Sequence, residues 1–122
     1  MINNIYQKIV DEIIDFFPNR WEKVVVSLNY GEESYEVSFY VKSNNEYIKC
    51  FDLNKVTDED LLDAFGRIDC FVSVDREKLK DKWTNMTLIL DNSGKVHVDY
   101  DYANHSQDGY QFNKEWKKKY LV

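Results

Sequence analysis

The feature that most constrains the fold is a series of short segments in which apolar and polar residues alternate, separated by tight turns. The connections GEES, SNNE and DNSG are built from residues that favour turn conformations. Alternation with a period of two is typical of β-strands with one buried face, and short turns join antiparallel neighbours. The sequence therefore predicts an antiparallel sheet of about five strands. These segments are residues 21–30, 35–41, 47–51, 83–90 and 95–102.

Helical signals flank this pattern at both ends of the chain. Apolar residues recur at steps of three and four from Ile2 to Phe17, and Pro18 prevents a longer helix. The first helix is therefore expected over about residues 2–17. The segment FNKEWKKKY, residues 112–120, predicts a short helix near the other end of the chain.

A third helix is expected between the two groups of strands. Thr57 is followed by three acidic residues at 58–60, and negative side chains in the first turn of a helix are stabilised by its macrodipole. Gly66 and the β-branched residues after it weaken the middle of this segment. Two alternatives stay open here: one long helix, or a break near residues 70–75 with a second short helix over residues 76–83.

Together these elements predict an α+β fold in the order α-β-β-β-α-β-β-α. Helices are expected to pack on one face of the antiparallel sheet. At 122 residues the chain is one domain's worth, so we expect a single domain over residues 1–122.

The charge of the chain is acidic and unevenly distributed. It carries 22 Asp and Glu against 16 Lys and Arg, a net charge of −6. Because Lys114 and the three lysines at 117–119 lie near one end, residues 1–113 carry 12 positive and 21 negative side chains, net −9. Direct binding of nucleic acid requires a basic surface, which argues against that class of function. An acidic body favours basic partners.

The location and chemistry expected of the chain follow from what the pattern lacks. No apolar run approaches the ~20 residues that span a bilayer, and Asp11, Glu12 and Asp15 interrupt the first apolar segment, so we expect a cytoplasmic protein without a membrane partner. Cys50 and Cys70 lack metal-ligand spacing and are expected to be free thiols. Without nucleophile, phosphate-loop or zinc-protease motifs, we expect no enzyme activity and no cofactor.

One strand carries a charged face that three kinds of site would share. In KVHVDYDY, residues 95–102, the alternation places His97, Asp99 and Asp101 on one face and Tyr100 and Tyr102 on the inner face. We call His97, Asp99 and Asp101 the acidic strip. It is compatible with a surface for a basic partner, with a catalytic acid/base pair, and with a metal site.

The docking interpretation is favoured over the metal site. Metal ligands must converge on one ion, whereas neighbours on one strand face lie about 6.5–7 Å apart. A small metal-binding module or metal-dependent hydrolase that uses the acidic strip, with help from His105, stays as the alternative. Tyrosine is a preferred interface anchor. Asp108 and Tyr110 follow in the adjacent loop, so the predicted partner-binding residues are His97, Asp99, Asp101, Asp108 and Tyr110.

A longer pattern of residues resembles a known family. The segment Trp83-Thr84-Asn85-Met86-Thr87, the turn from Asp91 to Lys95 and the alternating residues 98–102 are similar to the central signature of the YezG-like (EsaG-like) immunity proteins. The likeness continues in the first helix, at residues 21–24 and 35–40, and in the Trp116 to Tyr120 ending. The segment from Asn54 to Lys82 departs from the family pattern, being shorter than its second helix.

The resemblance implies an antitoxin. Members of the family bind and neutralise nuclease toxins of the LXG type that are exported by the type VII secretion system. It implies that this chain is a monomer when free, binds its cognate nuclease toxin domain one-to-one, and occupies or covers the toxin's basic substrate groove. An acidic, tyrosine-rich surface agrees with such a partner, because nucleases hold phosphates with Lys and Arg.

Overall fold

The computed structural model describes residues 5–54, 56–105 and 107–122 and confirms the predicted α+β order. Short 3₁₀ turns follow the first helix at Ile14–Phe16 and the third strand at Cys50–Asp52. The predicted start of the first helix at Ile2 lies outside the described residues. The elements are α1 (Ile5–Ile13), β1 (Lys23–Tyr30), β2 (Tyr35–Ser43), β3 (Glu46–Lys49), α2 (Asp58–Glu77), β4 (Asn85–Asp91), β5 (Val96–Asp101) and α3 (Gly109–Tyr120).

The five strands form one antiparallel sheet in the order β3-β2-β1-β4-β5. The turns occur where the sequence predicts them. Asn44 and Asn45 adopt φ values of 51° and 64°, the left-handed conformation that a two-residue hairpin turn requires and that Asn tolerates. Gly94 has a φ of 92° in the turn between β4 and β5. The chain thus leaves β1 in the centre and β5 at one edge.

One face of the sheet carries the main core, with α1 and α2 packed on it. Alternate residues of the three central strands point to this side, which confirms the period-two pattern. The helices contribute the apolar side of each turn. The fully or nearly buried side chains here include Ile9, Ile13, Val26, Leu28, Phe39, Leu61, Phe65, Ile68 and Leu88.

The middle helix resolves the alternative that the sequence left open. The Thr57 hydroxyl accepts a hydrogen bond from the Asp60 N–H at 3.1 Å, as expected of a capping residue. From Asp58 the helix continues through Gly66 to Glu77 without a break, and no second helix forms over residues 76–83. Burial of its apolar face outweighs the weak helix propensity of Gly66 and the β-branched residues.

The third helix corrects the prediction that the helices share one face. Trp116 of α3 is buried and its indole N–H donates to the Thr87 hydroxyl at 2.8 Å. Thr87 pairs with Ser27, and both side chains point away from the α1 and α2 side. The reason is the burial of β1 on both faces, since Val25 and Ser27 are as buried as Val24 and Val26. The sheet therefore lies between α1 and α2 on one face and α3 on the other.

A chain of hydrogen bonds satisfies the polar groups under α3. The Thr87 hydroxyl donates to the Asn85 side-chain carbonyl at 2.9 Å, and the Asn85 amide donates to the Ser27 hydroxyl at 3.0 Å. Among the described residues, no buried side-chain nitrogen or oxygen lacks a partner.

A search of the described residues for membrane spans finds no helix with the length and hydropathy that a span requires.

The bond between Trp116 and Thr87 gives a first prediction. Thr87→Val keeps the side-chain shape but leaves the indole N–H and the Asn85 carbonyl without their partner. A buried group left unpaired costs about 1–3 kcal/mol, and we expect the free energy of unfolding to fall by that amount in urea denaturation. Trp116→Phe removes the other side of the bond. The double variant should lose less than the sum of the single variants, and additive losses would contradict a role for this bond.

Candidate functional site

The acidic strip lies on β5, on the same sheet face as α3. Its opposite face points toward α1, where Val98 packs against the core and the Tyr100 and Tyr6 hydroxyls are hydrogen-bonded to each other. The predicted division of the two faces therefore holds for these residues. Tyr102 differs, because it follows the end of the strand and is 57% exposed.

Asp99 is held by contacts within the chain. One carboxylate oxygen lies 2.8 Å from His97 Nε2, and the other accepts a hydrogen bond from the Tyr120 hydroxyl at 2.8 Å. Partial burial acts to raise the pKa of Asp99, but the bonds from Tyr120 and His97 and the charge of Lys119 outweigh it, and the pKa is lowered. The His97 side chain remains 66% exposed. The end of α3 thus holds the Asp99 carboxylate in place and brings the positive charge of Lys119 near it.

Asp101 stabilises the chain where it leaves the sheet. One oxygen accepts the Ala103 N–H at 2.8 Å, and the other lies 3.2 Å from His105 Nε2. Burial again acts to raise the pKa, but the Ala103 and His105 hydrogen bonds outweigh it, so the pKa of Asp101 is lowered. This carboxylate is therefore ionised at neutral pH, and its side chain is 38% exposed.

His105 joins the end of β5 to the start of α3. Its ring stacks on Phe112 with 3.9 Å between ring centroids, and its Nδ1 lies 3.0 Å from an Asp108 oxygen. Together with the contact to Asp101, this places both ring nitrogens against carboxylates. The structure thus brings Asp101 and Asp108 to opposite sides of one imidazole.

Tyr110 is the most exposed large apolar side chain of the site, at 83% of its full accessibility. It lies in the first turn of α3, two residues after Asp108, whose side chain is 55% exposed. Helix α3 begins at Gly109, so Tyr110 lies on a helix and not in the loop that the sequence suggested. A rigid element therefore carries this aromatic ring.

The strip and α3 enclose a cleft of about 480 Å³. Among its lining residues are Asp99, Asp101, Lys119 and Tyr120. Sequence reasoning treated the basic end of the chain as separate from the acidic strip, and so missed the last two. The spacing of Trp116 and Tyr120 was the available signal, since residues four apart share one face of a helix.

The geometry does not favour the metal alternative. In the described ranges, no group of three or more His, Cys, Asp or Glu side chains could hold a metal ion. His97 pairs with Asp99, whereas His105 directs separate ring nitrogens to Asp101 and Asp108, so the donors do not converge on one point. Both cysteines are free, and burial raises the pKa of the Cys50 thiol.

Comparison with known proteins finds immunity proteins. A family model described as "Immunity protein YezG-like" matches residues 2–122. The chain is 30% identical over 112 residues to Immunity protein YezG of Bacillus spizizenii, covering 83% of this chain and 68% of the relative. It is 27% identical over 135 residues to Immunity protein YezG of Bacillus subtilis, covering 98% of this chain and 87% of the relative.

The bond between Tyr120 and Asp99 predicts a pH effect. Because the folded pKa of Asp99 is lowered, its stabilising contribution is complete above the unfolded pKa of about 3.9 and is lost as the pH falls through the folded pKa. Tyr120→Phe removes one donor, so the pKa of Asp99 should rise toward its ordinary value. Carboxyl carbon NMR titration measures this, with Asp101 as the internal control. An unchanged Asp99 pKa in the variant would refute the assignment.

Proposed function

The chain belongs to the YezG-like family of immunity proteins, and we propose that it binds and neutralises a cognate nuclease toxin. In this proposal one copy binds one toxin domain in the cytoplasm and covers the basic groove that would hold the nucleic acid. The toxin is of the LXG type exported by the type VII secretion system, as the likeness of the signature implies. The protein has no catalytic role of its own.

The observation that carries the proposal is that the start of α3 carries both an exposed tyrosine and carboxylates. Tyr110 lies in the first turn, two residues after Asp108, and Asp101 lies on the other side of His105 from Asp108. Nuclease grooves carry Lys and Arg, so a partly exposed acidic cluster supplies complementary charge. An aromatic ring on a rigid helix supplies the kind of anchor that dominates interface energies.

Acidic side chains extend this surface beyond β5. A cleft of about 790 Å³ separates the start of α3 from the turn between β1 and β2. That turn contributes Glu32 and Glu33 to the lining, the start of β2 contributes Glu36, and His105 lies on the opposite side. The negative region therefore includes parts of the chain far from the strip in sequence, and it is large enough in charge to steer a basic partner.

The centre of the proposed interface is the Asp101 end of the strip. At the other end, Tyr120 donates a hydrogen bond to Asp99 and the positive charge of Lys119 lies near it. Asp101 and Asp108 both contact His105, and in the described part of the chain no Lys or Arg forms an ion pair with either carboxylate. We therefore place Tyr110 and Asp108 at the centre of the interface, with His97 and Asp99 toward its rim.

Co-expression with the C-terminal domain of a toxin encoded beside this chain tests the function itself. We expect growth to be restored and the two proteins to purify together in a one-to-one ratio. Growth arrest in the presence of folded immunity protein, with no complex recovered, would contradict the proposal.

Tyr110→Ala should weaken the complex without affecting the fold. The side chain is largely exposed, so thermal stability should not change. Truncating an interface anchor costs about 2 kcal/mol or more, which corresponds to a dissociation rate about thirtyfold faster. Surface plasmon resonance measures this rate. Val74→Ala, which truncates a 57% exposed side chain on α2, is the matched control. Equal dissociation rates for Tyr110→Ala and the control would place the interface elsewhere.

Asp101→Asn combined with Asp108→Asn should act mainly on association. Charge steering raises association rates from about 10⁵–10⁶ M⁻¹s⁻¹ toward 10⁸ M⁻¹s⁻¹ at low salt. We expect slower association and a flatter salt dependence in stopped-flow measurements. Asp58→Asn with Glu59→Gln removes the same charge from the start of α2 and serves as the control. If both double variants associate at one rate, the acidic cluster does not face the toxin.

A further inference from the structure

The outer backbone edge of β5 has no role in the proposed function, although the side chains of the acidic strip border both surfaces. Strand β5 is six residues long and, among the described residues, pairs only with β4, whereas the other edge strand, β3, is four residues long. Natural edge strands are commonly protected by prolines, bulges or short length. The pairing of β5 with β4 is continuous from Val96 to Asp101 and includes no proline or bulge. The charged side chains of the acidic strip, another common protection of edge strands, restrict which strand can pair here. This edge is therefore open to another strand.

The hydrogen-bond phase, that is, which alternate residues of β5 bond to β4, identifies the backbone N–H and C=O groups that point outward at this edge. The Asp91 N–H donates to the Lys95 carbonyl, so Asp91 and Lys95 form a hydrogen-bonded pair of the ladder. Such pairs alternate in an antiparallel ladder, and residues 97, 99 and 101 therefore direct their backbone groups toward β4. The backbone groups of Val96, Val98 and Tyr100 point outward. Within the described ranges, no other backbone group bonds to these three residues.

We propose that this edge pairs antiparallel with the same edge of a second copy of the chain. The two-fold axis passes beside Val98, which faces Val98 of the second copy. In this register Val96 lies opposite Tyr100 of the other chain, and all three outward-facing residues form hydrogen-bonded pairs. The two sheets become one continuous sheet of ten strands.

Charge complementarity selects this register and identifies the occupant as a second copy. His97 lies opposite Asp99 of the other chain, and Lys95 lies opposite Asp101. Each pair occurs twice because the interface is symmetric. A shift of two residues, which the hydrogen-bond phase also permits, places Asp99 against Asp99 or His97 against His97. Like charges directly opposite each other are destabilising, which disfavours the register centred on Asp99. The register centred on His97 keeps only the Lys95–Asp99 pairs, so the register centred on Val98 forms the larger number of complementary pairs.

Exposed apolar side chains on the opposite face support the same pairing. Val96 is 48% exposed and Tyr100 is 39% exposed, although both point to the core side of the sheet. In the pairing with a second copy, Val96 of each chain lies against Tyr100 of the other chain. Cross-strand pairs of an aromatic and a β-branched residue are favourable. The family resemblance implies a monomer in the free state. The edge geometry points to a reversible dimer, independently of any toxin.

The oligomeric state tests this inference directly. Sedimentation velocity under reducing conditions, which prevent disulfides through the exposed Cys70, should show a dimer that dissociates on dilution. His97→Glu places like charges opposite each other at two pairs, and we expect it to raise the dimer dissociation constant about tenfold. Lys49→Glu reverses a charge on the other edge strand, β3, and should leave the constant unchanged.

Hydrogen exchange distinguishes this interface from any other dimer. The amides of Val96, Val98 and Tyr100 should become protected as the concentration rises, whereas those of His97 and Asp99 are protected by β4 at all concentrations. A wild-type chain that is monomeric throughout overturns the proposal, as does a dimer in which these three amides exchange freely. Protection that appears only when the toxin domain is added would mean that the edge accepts a strand of the toxin instead.

Discussion

The structure depends on the burial of strand β1 on both faces. Its five central residues, Val24 to Leu28, are all buried, although successive side chains in a strand point to opposite sides. Such a strand requires another element of the fold to pack on each of its two faces. Helices α1 and α2 cover one face with aliphatic side chains, and α3 covers the other through Trp116. The hydroxyl of Thr87 gives the buried indole N–H an acceptor. This hydrogen bond determines how α3 is oriented on the sheet, in addition to the burial that holds the helix there.

The position of α3 determines the properties of the candidate site. Because the helix lies across the face that carries the acidic strip, Tyr120 reaches Asp99, while His105 and Phe112 tie the start of the helix to Asp101. The carboxylates are held in place by the fold instead of moving freely in solvent. A surface that is ordered before binding loses less conformational entropy when a partner docks, which suits a protein whose proposed task is tight inhibition.

The sequence predicted the strands and turns well because their signals are local. Alternation and the Asn44-Asn45 and Gly94 turns are properties of a few adjacent residues. The prediction that α3 packs on the same face as the other helices was wrong, although the unbroken run of buried residues in β1 is typical of strands covered on both faces. In the site, the pattern identified the face of Asp99 and Asp101 but not their internal partners. His97, Ala103 and His105 are close in sequence to the carboxylates that they contact, but alternation does not show which of them bend back to bond. The contact of Tyr120 with Asp99 depends on how a distant helix approaches the strand.

The central claim is that the surface around the start of α3 binds a basic toxin domain. Backbone amide NMR of the labelled chain, recorded while the unlabelled, catalytically inactivated toxin domain is added, tests it most directly. The account predicts that the largest shift changes occur from Asp101 to Tyr110 and in the turn at Glu32 and Glu33. Changes confined to the outer face of α2, with this surface unaffected, would contradict it.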